Sequence, residues 1–488
     1  MARLVILGGG VAGHTAASFA AKWLGKKHEV VVVTPNSKWN WIPSNIWVGV
    51  GEMSKEDVTF DLSNVYNKAG ITYKQAKAIS INPEGDNSNS EFVTIEYTGK
   101  ENKGEIEKLS YDYLINATGP KLNFGATPGL GIGSEMGEHT VSVCTAEHAI
   151  HANDELRKSI EKMRNGETQT FLIGTGHGLC TCQGAAFEYI FNVEQILRKE
   201  GVRDKAKLIW LSNEQFLGDF GMGAMHIDRG GYRTHSKVFT ESIFAERGVH
   251  WIVGAHVNKI EEGIAHYETL DGTFSSQEFD FAMLIPPFAG VDLKAYDKNG
   301  EDITEKLFAP NGFMKVDADY TQKPYEEWSA SDWPSTLQTP SYKNIFAAGI
   351  AFAPPHLISQ PKVSANGTPI NPTPPRTGMP SAMMGKAVAA SICDMIKGKS
   401  DIPTHTSNMA EMGAACVAST GKGLFKGTAA SMTVYPVVPD YEKYPETGRD
   451  QNLTFGEVGL AGHWIKSILH YLFLYKAKLK FGWTLIPE

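Results

Sequence analysis

The sequence predicts an α/β protein made of two Rossmann-like dinucleotide-binding domains followed by an amphipathic C-terminal region. Three observations predict it. An apolar strand runs into Gly8-Gly9-Gly10-Val11-Ala12-Gly13 and an Ala-rich helix, a second strand and glycine loop follow at Thr170 to Gly178, and a basic, aromatic tail runs from Leu460 to Phe481. At 488 residues, with 42% apolar and 20% charged residues, the chain is long enough for two or three domains with ordinary cores.

Residues Arg3 to Leu7 are mostly apolar, as a buried parallel strand should be, and the glycine loop opens the helix behind them. In this GxGxxG the first glycine permits the turn and the second lets backbone approach a pyrophosphate. The third lets helix and strand pack closely, while the helix N-terminus stabilises the anion. Gly8, Gly10, Ala12 and Gly13 are the resulting candidate contacts; the plainer reading is a glycine-rich packing turn. The next strand, His28 to Val33, should end in an acid for the ribose diol. It runs into Thr34-Pro35-Asn36, so Thr34 and Asn36 become the candidates through their hydroxyl and amide, and NAD becomes a poorer guess.

Two later segments return to the same sheet: Tyr111 to Gly119 reads as a strand ending in Ala117-Thr118-Gly119, and Asn344 to Gly349 as a short strand ending in glycine. Both resemble the two-dinucleotide-domain flavoproteins, in which such strands pass beneath and beside a flavin. That resemblance implies FAD, with Thr118, Gly119, Gly349 and Ile350 near it, although an aspartate usually stands where Ile350 does.

Between these segments lies the second loop, Gly174, Gly176 and Gly178, followed by Leu179-Cys180-Thr181-Cys182-Gln183-Gly184, with a helical stripe legible from Ala185. A thiol at a helix N-terminus is expected to have a lowered pKa and a larger thiolate fraction. The alternative is that Cys180 and Cys182 are small buried apolar residues. This CxC has no second pair that would make it a zinc site, and no metal is expected. Cys144 stands in Val141 to His148, in the crossing between the two domains.

Together these segments resemble the sulfide:quinone oxidoreductases and the related flavocytochrome c sulfide dehydrogenases along almost the whole chain. WNWIPSNIWVGVG from Trp39, FLGDFGMGAM from Phe216, LIPPFAGV from Leu284, PPRTGMPSAM from Pro374 and the closing GHWIKSILHYLFLYKAKLKFGWTLIPE fall in that family's order. The resemblance implies that Cys182 is the redox cysteine and Glu188 the acid closing its motif. It matches Cys144 to an earlier cysteine that is tethered to flavin in some members, and His148 to the histidine four residues on. Pro43 and Ser44 join the expected FAD contacts.

Three departures stand out: Ala351 occupies the position of a third family cysteine, Asp219 that of a histidine, and Arg376 that of a lysine. Arginine keeps the charge but is a poor proton donor. In the family, hydrosulfide attacks a cysteine bridge, leaving a persulfide and a thiolate that passes two electrons to flavin. With Ala351 in place, Cys182 is expected to work with Cys180 or Cys144, and a Cys180–Cys182 bridge would be strained and readily reduced. Cys416 is a weaker candidate that reads first as a packing thiol, and Cys393 reads as core. Glu188 and His148 are candidate proton handlers; the plain readings are a helix glutamate facing water and a histidine satisfying local bonds.

The tail carries Trp464, Ile465, Ile468, Leu469, Leu472, Phe473 and Leu479 near the helical period, with Lys466, Lys476, Lys478 and Lys480. This pattern suits a membrane-attachment region on anionic lipid, or else a core or dimer helix. The Pro-rich run from Pro354 to Pro380 reads as a long loop over the flavin. Phe352, Arg376 and Met379 are candidates for a quinone pocket between loop and tail. The expected boundaries are 1–125 and 336–400 for the FAD domain, 126–335 for the second domain, and 401–488 for the membrane and quinone region.

The formal charge of −8 argues against a polynucleotide partner. Five cysteines are too few for a disulfide scaffold. No signal peptide is read ahead of the first strand, and no stretch of roughly 18 apolar residues predicts a spanning helix. The expectation is a peripheral, monotopic protein of a prokaryotic cytoplasmic membrane, compatible with a homo-oligomer, that transfers electrons from sulfide to quinone. The competing readings are a type II NADH:quinone oxidoreductase, a flavocytochrome c type that passes electrons to haem, and a non-catalytic sulfur-binding flavoprotein. No CxxCH occurs in the chain, so the haem reading would need another subunit.

Overall fold

In the computed structural model, which describes residues 1–131, 139–229, 231–421 and 427–488, the apolar run Arg3–Leu7 forms β1 and the Ala-rich stretch Val11–Leu24 forms α1. Four consecutive valines make β2 (Glu29–Thr34), buried from Val30 onward as a strand covered on both faces must be. Then come β3 (Thr72–Asn82), β4 (Phe92–Tyr97), β5 (Ile106–Ser110) and β6 (Tyr113–Asn116). A long helix, α2 (Ala146–Arg164), leads to β7 (Gln169–Thr175), α3 (Gln183–Lys199), β8 (Ala206–Leu211), β9 (Val249–Ile252) and β10 (Phe281–Ile285). The chain continues through β11 (Ile345–Ala347) and α4 (Gly378–Ile396). It ends with β12 (Ala414–Thr420), β13 (Thr428–Val434), β14 (Phe455–Gly459) and α5 (Leu460–Ala477).

Three sheets organise these elements. The first has the order β11-β6-β1-β2-β3-β4-β5, with Lys294–Ala295 added beside β3. Its β11, β6, β1, β2 and β3 are parallel, while β4 and β5 close it as an antiparallel meander. From β1 the chain builds outward first through β2 and later through β6 on the other side. The carboxyl ends of β1 and β6 therefore border the crevice where an open α/β sheet binds its ligand. The second sheet, β9-β8-β7-β10, is wholly parallel. The third, β12-β13-β14, is antiparallel and passes directly into α5.

Two local differences from the sequence reading have backbone causes. Helix α3 starts at Gln183, two residues ahead of the apolar stripe, because its N-cap Cys182 turns the chain in the left-handed conformation, φ 65°. Helix α4 begins at Gly378 and takes Pro380 into its first turn, where a missing N–H costs nothing. Among the described residues, no helix is long and apolar enough to cross a membrane.

Candidate functional site

The carboxyl ends of β1, β6 and β11 are stitched into one cradle. The Ala117 amide donates to the Leu7 carbonyl (2.8 Å), the Ala348 amide to the Asn116 carbonyl (2.9 Å), and the Thr118 hydroxyl to the Asn116 side chain (2.8 Å). A Cβ on Gly8 would overlap the Ala117 carbonyl, and one on Gly349 would come within 2.8 Å of the Ala12 methyl. Gly10 and Gly119, by contrast, face open space, and no side chain caps the N-terminus of α1. The uncapped helix N-terminus beside glycines that open onto the cradle fits the pyrophosphate of a dinucleotide.

Thr34 is buried under Gly9, while Asn36 lies exposed at the rim with its carbonyl accepting from the Tyr73 hydroxyl (2.9 Å). Gly13 packs α1 against β1, and Ile350 is half-buried with its carbonyl accepting from Arg376 Nη1 at 3.2 Å. Pro43 packs toward Gly378 at the start of α4. Ser44 is fully buried, and its hydroxyl is bonded to His470 Nδ1 of α5 at 2.8 Å, so its polar atom is engaged by the tail.

The second glycine loop is closed by protein. Gly176 N–H donates to the Ile285 carbonyl (2.8 Å), Gly178 N–H to His256 Nδ1 (2.9 Å) and Leu179 N–H to His177 Nδ1 (3.1 Å). The Pro-rich run lies along the same loop. Asn371 N–H donates to the Gly178 carbonyl (2.7 Å), Thr373 N–H to the Cys180 carbonyl (3.0 Å), and the Thr181 hydroxyl to the Pro374 carbonyl (2.9 Å). The amides that would grip a second pyrophosphate are thus spent on the chain itself.

All five cysteines are free thiols. Cys182 holds its left-handed backbone without being glycine, a conformation that costs on the order of 1 kcal/mol or more and clusters at functional positions. Its thiol faces the Arg376 carbonyl at 4.0 Å. The Arg376 guanidinium bonds the Ile350 and Phe352 carbonyls, each at 3.2 Å, and lies 4.8 Å over the Phe313 ring. The lowered thiol expected of a helix N-terminus is not what results. Burial pushes Cys182 above the ordinary cysteine range, and the Arg376 backbone, the Thr181 hydroxyl and the Arg376 charge offset only part of it.

Cys180 is fully buried, and its thiol donates to the Ile285 carbonyl at the end of β10 (3.1 Å). Cys144, just ahead of α2, is pushed up to about 12 by burial, against the help of Ser142, and the neighbouring Cys182 raises it further. His148 sits in the first turn of α2, edge-on to Phe124. Among the described residues its Nδ1 is buried without a hydrogen-bond partner, and burial lowers its pKa. Cys393 is core.

Glu188 does not face water. Its Oε2 lies 2.9 Å from Lys466 Nζ and its Oε1 accepts from the Ser419 amide (3.3 Å). Burial pushes its pKa up while Lys466 pulls it back. The Ser419 hydroxyl bonds His463 Nδ1 at 2.7 Å. The sequence reading missed this cluster because Lys466 and His463 look like part of a basic tail.

Helix α5 divides by face. His463, His470, Phe473, Leu474 and Lys476 point inward, whereas Trp464, Ile465, Ile468, Tyr471 and Leu472 are exposed. Lys466 and Lys476 are consequently held by the protein, the latter by the Ile486 carbonyl (2.6 Å). Of the residues assigned to a quinone pocket, Phe352 is buried, with the Arg376 guanidinium over its ring and Trp333 against it, while Arg376 and Met379 are half-buried, Met379 in the first turn of α4. A cleft between α1, α4 and α5 is lined instead by Val11, Thr15, Trp39, Trp41, Ala382 and Phe473.

Residues 2–186 match the family model described as pyridine nucleotide-disulphide oxidoreductase. The chain is 28% identical over 475 residues to a sulfide-quinone reductase of Aquifex aeolicus, covering 97% of this chain and 91% of that protein. It is 24% identical to a mitochondrial sulfide:quinone oxidoreductase of Dictyostelium discoideum over 71% of this chain and 64% of that protein. The solved Aquifex aeolicus sulfide:quinone oxidoreductase superposes with a TM-score of 0.74 at 27% identity, covering 98% and 92% of the two chains. NDH2 from Plasmodium falciparum shares the fold, with a TM-score of 0.63 at 14% identity over 98% and 96%.

Proposed function

We propose that this chain is a member of the sulfide:quinone oxidoreductase family, and that it oxidises sulfide on its thiols and passes two electrons through FAD to a quinone at a membrane surface. The observation that carries the reading is the second glycine loop. Its amides are spent on the chain, and it delivers Cys182, in a strained backbone beside Arg376, where a nicotinamide enzyme would hold its dinucleotide.

The cradle at Gly8, Gly10, Gly119 and Gly349 would hold FAD, with Thr34 and Asn36 on the ribose side and Thr118 and Ile350 beside the later strands. FAD bound there would supply the two-electron acceptor. The thiols carry the substrate chemistry. Hydrosulfide sulfur bonds to Cys182 Sγ, the bond from Cys182 to its partner sulfur breaks, and the partner leaves as thiolate.

Arg376 cannot donate a proton at neutral pH, so its part is to stabilise negative charge at Cys182 and to fix the chain at Ile350 and Phe352. Glu188, paired to Lys466, would take the proton that sulfide releases, and His148, whose Nδ1 has no partner among the described residues, would serve beside Cys144. The exposed apolar face of α5 supports a peripheral membrane seat, with Trp41, Met379 and Phe473 as the quinone side.

Anaerobic mixing of the purified protein with sulfide or with NADH, followed by a short-chain quinone, tests the reading. Flavin bleaching by sulfide that quinone reverses is the expected result. Bleaching by NADH alone would make the protein a respiratory NADH dehydrogenase and overturn it.

A further inference from the structure

We infer that Cys416 is the thiol that pairs with Cys182, filling the role left open by Ala351. The inference deepens the proposed function and rests on it. Strand β12 lies along the first turns of α3. Cys416 Sγ sits 2.8 Å from the point where a Cβ on Gly184 would stand, and Gly184 is the second residue of the helix that Cys182 caps. A glycine is a poorer helix former than alanine, and here its missing side chain leaves the space that the thiol occupies.

The register is held on both sides of that contact. Three residues beyond Cys416, the Ser419 amide donates to Glu188 (3.3 Å), and the Ser419 carbonyl accepts from the Asn192 side chain (2.8 Å). Glu188 follows Gly184 by four residues on the same helical face. Cys416 therefore lies between the Cys182 end of α3 and the Glu188–Lys466 pair, and feels the charges of all three. The nearer cysteine in sequence, Cys180, has its thiol committed to the Ile285 carbonyl.

The chemistry balances. Hydrosulfide attacks Cys182 Sγ of the oxidised pair, giving a Cys182 persulfide and a Cys416 thiolate beside Lys466. A second hydrosulfide takes the outer sulfur as hydrodisulfide, leaving Cys182 as thiol. The thiol and thiolate then re-form their sulfur–sulfur bond, releasing one proton toward Glu188 and two electrons to the flavin that the proposed function supplies.

The test uses the flavin-loaded full chain. Non-reducing proteolysis and mass spectrometry of the oxidised wild type should find the peptides of Cys182 and Cys416 joined, directly or through added sulfur. Cys416→Ser and Cys416→Ala should keep bound flavin and its reduction by dithionite, yet slow sulfide-driven bleaching roughly 100-fold or more, as Cys182→Ser should. Wild-type bleaching by sulfide together with undiminished bleaching in both Cys416 variants, or a Cys182 link to Cys144 or Cys180 instead, overturns this pairing and leaves the proposed function standing. Absence of sulfide-driven bleaching in the wild type overturns both.

Discussion

Glu188 of α3 and Lys466 of α5 form a buried ion pair, 2.9 Å from Oε2 to Nζ, between residues 278 apart in sequence. The pair fastens the C-terminal helix to the helix that Cys182 caps, and so couples α5 to the thiol site.

Removing one partner leaves the other charge buried alone, at a cost of about 3 kcal/mol. Lys466→Met should lower the thermal unfolding midpoint of the flavin-loaded protein by several degrees, and Glu188→Gln in that background should recover most of the loss. A double variant as unstable as the single one would show that packing of the lysine stem, rather than charge, holds α5.

Gly8→Ala should abolish flavin retention. Its φ of 103° disfavours any side chain, and the new methyl would overlap the Ala117 carbonyl. Flavin absorbance per chain after gel filtration measures this; full occupancy would place the pyrophosphate elsewhere.

Ile465→Glu with Ile468→Glu puts two charges on the exposed face of α5 without touching its inward residues. Sedimentation with anionic vesicles should show binding weakened roughly tenfold or more. Sulfide oxidation with a water-soluble quinone should stay near the wild-type rate. Unchanged sedimentation would point to another membrane-binding face.

Glu214, just beyond β8, is fully buried and accepts from the Phe220 amide and the Ser212 hydroxyl, each at 2.8 Å. Burial pushes its pKa up to about 7 from an ordinary carboxylate value. The folded state then holds a proton that the unfolded chain gives up. Its contribution is full below about pH 4.5 and is lost as pH rises to about 7, a fall of about 3 kcal/mol. Midpoints measured from pH 5 to 8 should decline, and Glu214→Gln should flatten that decline. A wild-type profile already flat would mean that the carboxylate is ionised in the fold.

Much of the cradle was legible in the sequence because its constraints are local. Gly8 and Gly13 stand where backbone approaches backbone and Gly349 where it meets the Ala12 methyl, and short-range steric rules announce such positions. The thiol at Cys182 was legible as an interruption of a glycine loop. Its elevated pKa was not, since the helix N-terminus is visible in sequence and the burial that outweighs it is not. Ser44 and Phe352 also looked open to ligands, and tertiary partners cover them: His470 binds Ser44, and Arg376 lies over Phe352.

By itself, the sequence determined the two strand–glycine–helix units, the strands that return to the first of them, and an amphipathic tail, because each is written in a period or turn that spans a few residues. Only the tertiary structure decided that the Pro-rich run seals the second loop, that Lys466 turns inward to Glu188, and that Cys416 rests on Gly184. Those relationships join residues hundreds of positions apart. They depend on how β12 and α5 pack against α3, and no local propensity encodes that packing.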